Sequence, residues 1–349
     1  MKKKNIHILI LSILTVLTTT VSSAQNQVKS VVQELDSKGK WALVVHGGAG
    51  NMDRNSMPAE KIETIRSKIT AALQLGGKAL EDGGSALDAV ELVVRYLEDE
   101  PEFNAGRGAV LNAEGHPEMD ASVMDGKTGK AGAIAGVQRI KNPVTAARRV
   151  MEQTPHVMLI GEGAERFARE QGLELADSAW FVTPGRRADW ERWKMKNRNS
   201  NLNNPDQKEG KGTVGAVALD QHGNLAAATS TGGMTGKMPG RIGDSPVIGA
   251  GTWADNKTCA ISATGHGEFF IRNVVAYDIA ARMEYQSLSL GESAHRVIME
   301  KLVQQGGTGG VIGIDHLGNV TMTFNTTGMI RGSVSSQDSL QVKIFKLGQ

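Results

Sequence analysis

Thr213 follows Gly212 where "EGKGTVGAVALD" passes from a polar run into an apolar one. A threonine hydroxyl inside a chain is a weak nucleophile because no strong base sits beside it. At a chain terminus its own α-amine, with an ordinary pKa of about 7.7 to 8, can take the hydroxyl proton near neutral pH. That amine exists only once the Gly212–Thr213 bond is broken. Gly212 suits such a cut, since glycine tolerates the strained backbone that lets a neighbouring hydroxyl reach its carbonyl carbon. The expectation is an inactive precursor that is cut before Thr213. Threonine also begins many ordinary strands, so the surrounding residues decide the matter.

Three nearby stretches supply partners. "STGG" puts Thr231 at the end of the strand that returns beside Thr213, where its hydroxyl can meet the nucleophile or its amine. "GRIGDSP" carries Arg241 and Asp244 in one Gly-flanked loop. Arg241 offers a planar fork for a carboxylate, and Asp244 an anion for an ammonium. Together they can grip a free aspartyl head and leave its side-chain carbonyl facing Thr213. "ATGHGE" ends a third strand at Thr264 and Gly265, whose hydroxyl and backbone N–H can hold a developing oxyanion. These types suit attack on a β-amide, departure of ammonia or an amino acid, and hydrolysis of the acyl-enzyme by water. No organic cofactor is needed.

Competing chemistries fail on spacing. "TGGMTGKM" offers Gly236-Lys237, but a phosphate loop needs glycine where Thr231 stands and a hydroxyl where Met238 stands. No Gly-x-Ser-x-Gly, His-Glu-x-x-His or paired Cys-x-x-Cys occurs. His46 and His266 lie in Gly-rich loops and read as hydrogen-bonding partners rather than metal ligands. Cys259 is the single cysteine; it reads as a small buried hydrophobe and leaves no internal disulfide.

The elements that must position these residues follow from periodicity. "WALVVHGG" reads as a buried strand, and "PEMDASVMDG", "AGAIAGV" and "GAVLN" as further short strands. Ile62, Ile65, Ile69, Ala72 and Leu73 share one helix face. Ser85 with Asp88 caps a second helix bearing Leu87, Val90, Val94 and Leu97. Asn142-Pro143 opens a third, and "EGAERFAREQG" gives a fourth. Two hairpins, "TVGAVALDQHGNLAAATS" and "GGVIGIDHLGNVTMTFN", flank two helices, "EFFIRNVVAYDIAARM" and "LGESAHRVIMEKLVQQ". The order describes an α+β layered body with two antiparallel sheets and helices outside. From Arg186 to Lys211 the chain is poor in apolar residues and reads as a solvated, mobile linker, apart from a turn at Trp190 and Trp193. Neither half has strands enough to close its own core, so one domain spans that linker.

"MKKKNIHILILSILTVLTTTVSSA" has the layout of a cleaved secretory signal, basic start, short apolar middle and small residues before Ala24. Its loss removes three lysines and turns the formal net charge of +2 to about −1. No basic field then remains for nucleic acid or a membrane. Export is expected, to the periplasm rather than the medium.

Taken in order, "HGGAG", "FNAGRGAV", "MDASVMDG", "GTVGAVALD", "TSTGGMTGKMPGRIGDSP", "GAG" and "TGHGE" resemble the plant-type L-asparaginase / isoaspartyl peptidase family, within the N-terminal nucleophile hydrolases. The resemblance runs from about Trp41 to Gly328. It implies a four-layer αββα sandwich over 25–349, cut into an α subunit (25–212, with the linker at about 186–212) and a β subunit (213–349). It implies a homodimer of cleaved protomers, (αβ)₂, acting on a small-molecule or dipeptide substrate. By position, Thr213 would be the nucleophile and Thr231 its hydrogen-bonding neighbour. Arg241 would take the α-carboxylate and Asp244 the α-ammonium. Thr264 and Gly265 would form the oxyanion hole with Gly267 nearby, and Asn104 would support the nucleophile. A structural sodium would sit on backbone carbonyls of Leu97, Glu98, Glu100, Phe103, Ala105 and Arg107. β-Aspartyl dipeptides are the expected substrates ahead of asparagine. The alternatives are a glycosylasparaginase, against which "GTVGAVALD" and "TGGMTGK" argue, and an exported amino-acid-binding protein that performs no cleavage.

Overall fold

The computed structural model describes residues 39–55, 57–198 and 212–346. The expected signal at 1–24 and the stretch 199–211 lie outside the described residues. The strands are β1 (Ala42–Gly50), β2 (Met119–Asp125), β3 (Ala131–Val137), β4 (Met158–Ile160), β5 (Val214–Leu219), β6 (Leu225–Thr231), β7 (Thr252–Ala254), β8 (Cys259–Gly265), β9 (Gly309–Asp315), β10 (Val320–Phe324), β11 (Gly328–Ser335) and β12 (Gln341–Phe345). They form one sheet in the order β12–β11–β1–β5–β6–β2–β3–β4 and a smaller one in the order β10–β9–β8–β7.

Helices α1 (Ala59–Glu81), α2 (Ala86–Asp99), α3 (Pro143–Gln153) and α4 (Gly161–Glu170) cover the outer face of the larger sheet, and a single turn, α5 (Ser178–Phe181), follows. The smaller sheet is covered by α8 (Val275–Gln286) and α9 (Leu290–His295). The layers are thus αββα. Strand alternation builds them. Leu43 and Val45 of β1, with Val214, Ala216 and Ala218 of β5, point at the helices. Val44, Val217 and Leu219 point the other way, onto Ile312 and Ile314 of β9. A third layer packs Ile261 and Ala263 on Val275 and Ile279. Burial on both faces explains why these strands read as continuous apolar runs. Each buried valine, leucine or isoleucine contributes about 1.5–3 kcal/mol.

The α2 helix starts as its sequence requires: Ser85 Oγ accepts from Asp88 N at 3.1 Å. Its buried residues, from Ala86 through Val90 and Val94 to Leu97, follow the 3–4 spacing that faces the sheet.

Several expectations are corrected. Strand β4 joins β3 in parallel, because α3 carries the chain over before it returns; the larger sheet is not wholly antiparallel. "GAVLN" is no strand. A 3₁₀ turn at Gly106–Gly108 gives way to a single bridge between Leu111 and Pro117. A side chain at Gly106 or Gly108 would run into the carbonyl of Glu98 or Phe103, so the loop folds on itself.

The linker does not begin at Arg186. Residues 184–196 form α6 (Pro184–Lys196), capped by Thr183, with proline in its first turn. Arg186 is buried and its Nε donates to Gly108 O at 2.5 Å. Trp190 packs on Gly115 and Trp193 on Gly236, contacts that pin a largely polar helix. "EFFIRNVVAYDIAARM" is broken at Val274 (φ +48) into α7 (Gly267–Asn273) and α8. The N–H groups of Ala276 and Tyr277 there donate to the carbonyls of Ala250 and Gly249. No helix among the described residues is long and apolar enough to cross a membrane.

Candidate active site

The register of β5 and β6 pairs Val214 with Ser230, which brings the residue before β5 beside the residue that ends β6. Thr213 Oγ1 donates to Thr231 Oγ1 at 3.1 Å. Thr231 Oγ1 also accepts from Gly233 N at 2.9 Å. Thr213 is only 7% exposed, so its hydroxyl works in a largely dry place. Asn104 braces the following turn. Its Nδ2 donates to Gly233 O at 2.7 Å, its Oδ1 accepts from Val110 N, and its carbonyl accepts from Gly232 N.

The bond before Thr213 lies against β1, where the pairing with β11 slips. His46 pairs with Arg331 and Gly48 with Ile330, leaving Gly47 as a bulge. Gly48 has φ +110, and a Cβ on it would stand 2.5 Å from Gly212 Cα. The two glycine backbones therefore touch, and neither position has room for a side chain. One residue on, Ala49 N donates to Thr264 Oγ1 at 3.3 Å. Thr264 is thereby placed next to the Gly212 contact. Gly265 follows with φ +153, its Cα hydrogens facing Thr308 O and Gly309, a conformation that favours glycine.

The charged half of the site is joined to this one through Gly267. A Cβ there would lie 2.9 Å from Asp244 Oδ1 and 3.0 Å from Arg241 Nη2. Asp244 is buried, and its Oδ2 has no hydrogen-bond partner among the described residues. Burial pushes its carboxyl up to about 7, with Arg241 pulling the other way. Arg241 donates from Nε and Nη2 to the two oxygens of Glu268, both at 2.9 Å. Its Nη1 packs on Gly243 and donates to no described residue. The fork is thus oriented by Glu268 along one edge, with the other edge open to a carboxylate. His266 Nε2 lies 3.2 Å from Glu268 Oε2. Burial works against the Glu268 charge, but bonds from His266 and Arg241 overcome it and hold the carboxyl well below its ordinary range.

The sequence points to Thr213, Thr231, Thr264, Gly265, Gly267, Asn104, Arg241 and Asp244, and to His266 as a hydrogen-bonding residue, but not to Glu268 or the Gly48 contact. Glu268 was visible as the last residue of "ATGHGE", on the first turn of α7. Two more buried charges escaped notice. Lys237 Nζ donates to Glu118 O at 2.7 Å, and Asp120 Oδ1 accepts from Gly136 N at 2.9 Å. Burial raises Asp120 and lowers Lys237, and each offsets the shift in the other. Asp120 pairs with Thr231 across β2 and β6, so this pair underlies both halves of the site.

The expected cation loop spans the end of α2 and the turn after it. The three charged side chains among its expected members are engaged elsewhere: Glu98 accepts from Ser230 Oγ and Val144 N, Glu100 pairs with Lys68 at 2.9 Å, and Arg107 lies over the Trp180 ring at 4.7 Å. Carbonyls of Glu98 and Phe103 pack against Gly106 and Gly108. Of the other expected ion ligands, the carbonyls of Leu97, Glu100 and Ala105 already accept from the N–H groups of Glu100, Phe103 and Gly108, which leaves each one further lone pair. No group of three or more metal-ligating His, Cys, Asp or Glu side chains occurs among the described residues.

The family model described as asparaginase matches residues 39–344. The chain belongs to the asparaginase family. An isoaspartyl peptidase of Escherichia coli (strain K12) is 51% identical over 311 residues, covering 88% of this chain and 97% of the relative. A second isoaspartyl peptidase, from Salmonella typhimurium (strain LT2), is 49% identical over 314 residues, covering 88% and 99%. An isoaspartyl peptidase/L-asparaginase of Xenopus laevis is 44% identical over 307 residues, covering 88% and 96%. The asparaginase-family match begins at residue 39, just before β1, and includes all the site residues above.

Proposed function

We propose that this chain is a threonine amidohydrolase that cuts its own Gly212–Thr213 bond and then hydrolyses the β-amide of β-aspartyl dipeptides and of L-asparagine. The observation that carries the reading is the hydroxyl pair of Thr213 and Thr231 at 3.1 Å, set beside a glycine bond that touches Gly48. In maturation the Thr213 hydroxyl attacks the Gly212 carbonyl carbon. The C–N bond breaks, the amine takes a proton, and water hydrolyses the resulting ester to free the Gly212 carboxylate. The new α-amine is then the base for turnover.

In turnover the open edge of Arg241 takes the substrate α-carboxylate, and the unpartnered Asp244 oxygen takes the α-ammonium. The β-carbonyl is left for Thr213. Its oxygen, negative in the tetrahedral intermediate, is held by the Thr264 hydroxyl and the Gly265 N–H. Ammonia or an amino acid leaves, and water releases aspartate. A sodium ion on the carbonyls of residues 97–107 would stiffen the loop that carries Asn104; it takes no part in the steps. The same reading includes a homodimer of cleaved protomers and export directed by residues 1–24, which precede the family match.

Purified protein is tested with a β-aspartyl dipeptide, L-asparagine, an α-aspartyl dipeptide and a glycosylated asparagine. The expected result is aspartate release from the first two alone. Cleavage of the glycosylated asparagine alone, or binding of aspartate with no turnover of anything, would overturn the proposal.

A further inference from the structure

Between the two sheets runs a row of buried polar side chains that the reaction above does not use. His46 sits opposite Gly215 in the register of β1 and β5 and is fully buried. Its Nδ1 lies 3.0 Å from the carbonyl oxygen of Thr213. A carbonyl only accepts, so Nδ1 carries a proton and donates. Burial draws the imidazole down to about 3, against the opposing pull of that bond, so the ring is neutral and Nε2 is an acceptor.

The remaining directions follow one from the next. Ser262 Oγ, 2.9 Å from Nε2, donates its single proton there. It must then accept from Thr229 Oγ1 at 2.7 Å. Thr229 in turn accepts from Thr252 Oγ1 at 2.6 Å, and Ser122 Oγ stands 2.8 Å from Thr252. Ser122 also reaches the carbonyl of Ser245 at 2.6 Å, the residue after Asp244. The row thus joins the loop that reads the substrate head to the residue that attacks it. Gly215 supplies an independent sign that the link is built in. A side-chain carbon there would collide with both the Ser262 hydroxyl and the His46 ring.

We propose that His46 is a positioning residue for Thr213: the hydroxyl row holds its ring in the Nδ1–H tautomer, and Nδ1–H pins the Thr213 carbonyl. This rests on Thr213 being the nucleophile. Cutting before Thr213 leaves it tethered through Val214 alone, free to swing unless its carbonyl is held. The pinned carbonyl fixes the direction in which hydroxyl and amine face the substrate.

The test begins with ¹⁵N spectra of histidine-labelled wild-type protein. One ring is expected with Nδ1 protonated and Nε2 bare, unchanged from about pH 5 to 9. An Nε2–H tautomer, or a His46 that titrates in that range, would overturn the proposal. Kinetics give the second arm. His46→Leu should lower kcat about 10²-fold with KM little changed, while His46→Asn, whose amide can stand where Nδ1–H stands, restores most of that loss. A folded His46→Leu protein that turns over like wild type contradicts the proposal. Should the leucine variant not fold, Ser262→Ala decides: it should disturb the tautomer and lower kcat, and an unchanged spectrum and rate count against the row. An uncut, inactive wild type would sink the nucleophile reading, whereas a cut and active protein with the wrong tautomer sinks only this one.

Discussion

The two halves of the site are built on opposite plans. The nucleophile half is neutral. Thr213, Thr231 and Thr264 are hydroxyls at strand ends, held by backbone N–H groups and by each other. The recognition half is charged and incomplete: among the described residues Asp244 Oδ2 has no partner and Arg241 Nη1 donates to none. An unpartnered buried carboxylate is costly, and a substrate ammonium relieves that cost. On the proposed reading the strands hold the attacking groups in advance, while the loops offer Arg241 and Asp244 to the α-carboxylate and α-ammonium of a free amino-acid head. That reading lodges specificity and rate in separate residues.

Substitutions can break that division. The largest effect belongs to Thr213→Ala, which should leave a single uncut chain and lower kcat by about 10⁴-fold or more while aspartate still binds; loss of aspartate binding, read by calorimetry, would show that the halves are not separate. Next come Asp244→Asn and Arg241→Lys. Each should cost about 2–5 kcal/mol in kcat/KM and leave maturation intact by mass, because the cut makes no use of an aspartyl head. Gly48→Ala should do the reverse. The added carbon meets Gly212 backbone at 2.5 Å in a backbone conformation that costs about 1–3 kcal/mol for alanine, so the fraction cut after a fixed time should fall.

The smallest effect is in pH. The Asp244 carboxyl, at about 7 instead of 3.8, is raised in the folded protein. Its contribution to stability is therefore full below 3.8 and lost as pH rises through about 7. Aspartate needs the ionised form, so its affinity should weaken up to about tenfold per unit as pH falls below 7. Inhibition constants measured from pH 5 to 9 read this directly; a flat profile would show that Asp244 does not meet the ammonium.

Much of the nucleophile half could be read from the chain because it follows local rules. Strands β5 and β6 alternate, the turn between them is short, and their ends put Thr213 and Thr231 together. The recognition loop showed its charges but not their wiring. That Glu268 holds Arg241 depends on α7 folding back beside residues 241–244, which no periodicity announces. The polar composition of α6 reads as a linker because its anchors, Gly115 and Gly236, are remote in sequence from Trp190 and Trp193. Strands β11 and β12 were missed for the same reason. β11 pairs with β1, nearly the whole chain away, and β12 is an edge strand added to β11. His46 is a hydrogen-bonding residue as its sequence context suggests, but it lies within β1 and not in a loop, and its two partners, Thr213 and Ser262, are 167 and 216 residues away.

The central claim is that Thr213 becomes a chain terminus. Intact mass and N-terminal sequencing of purified protein, held at neutral pH, test it most directly. Two fragments, the second beginning at Thr213, are predicted. A single chain that stays uncut on long incubation, or a cut at any other bond, would contradict it.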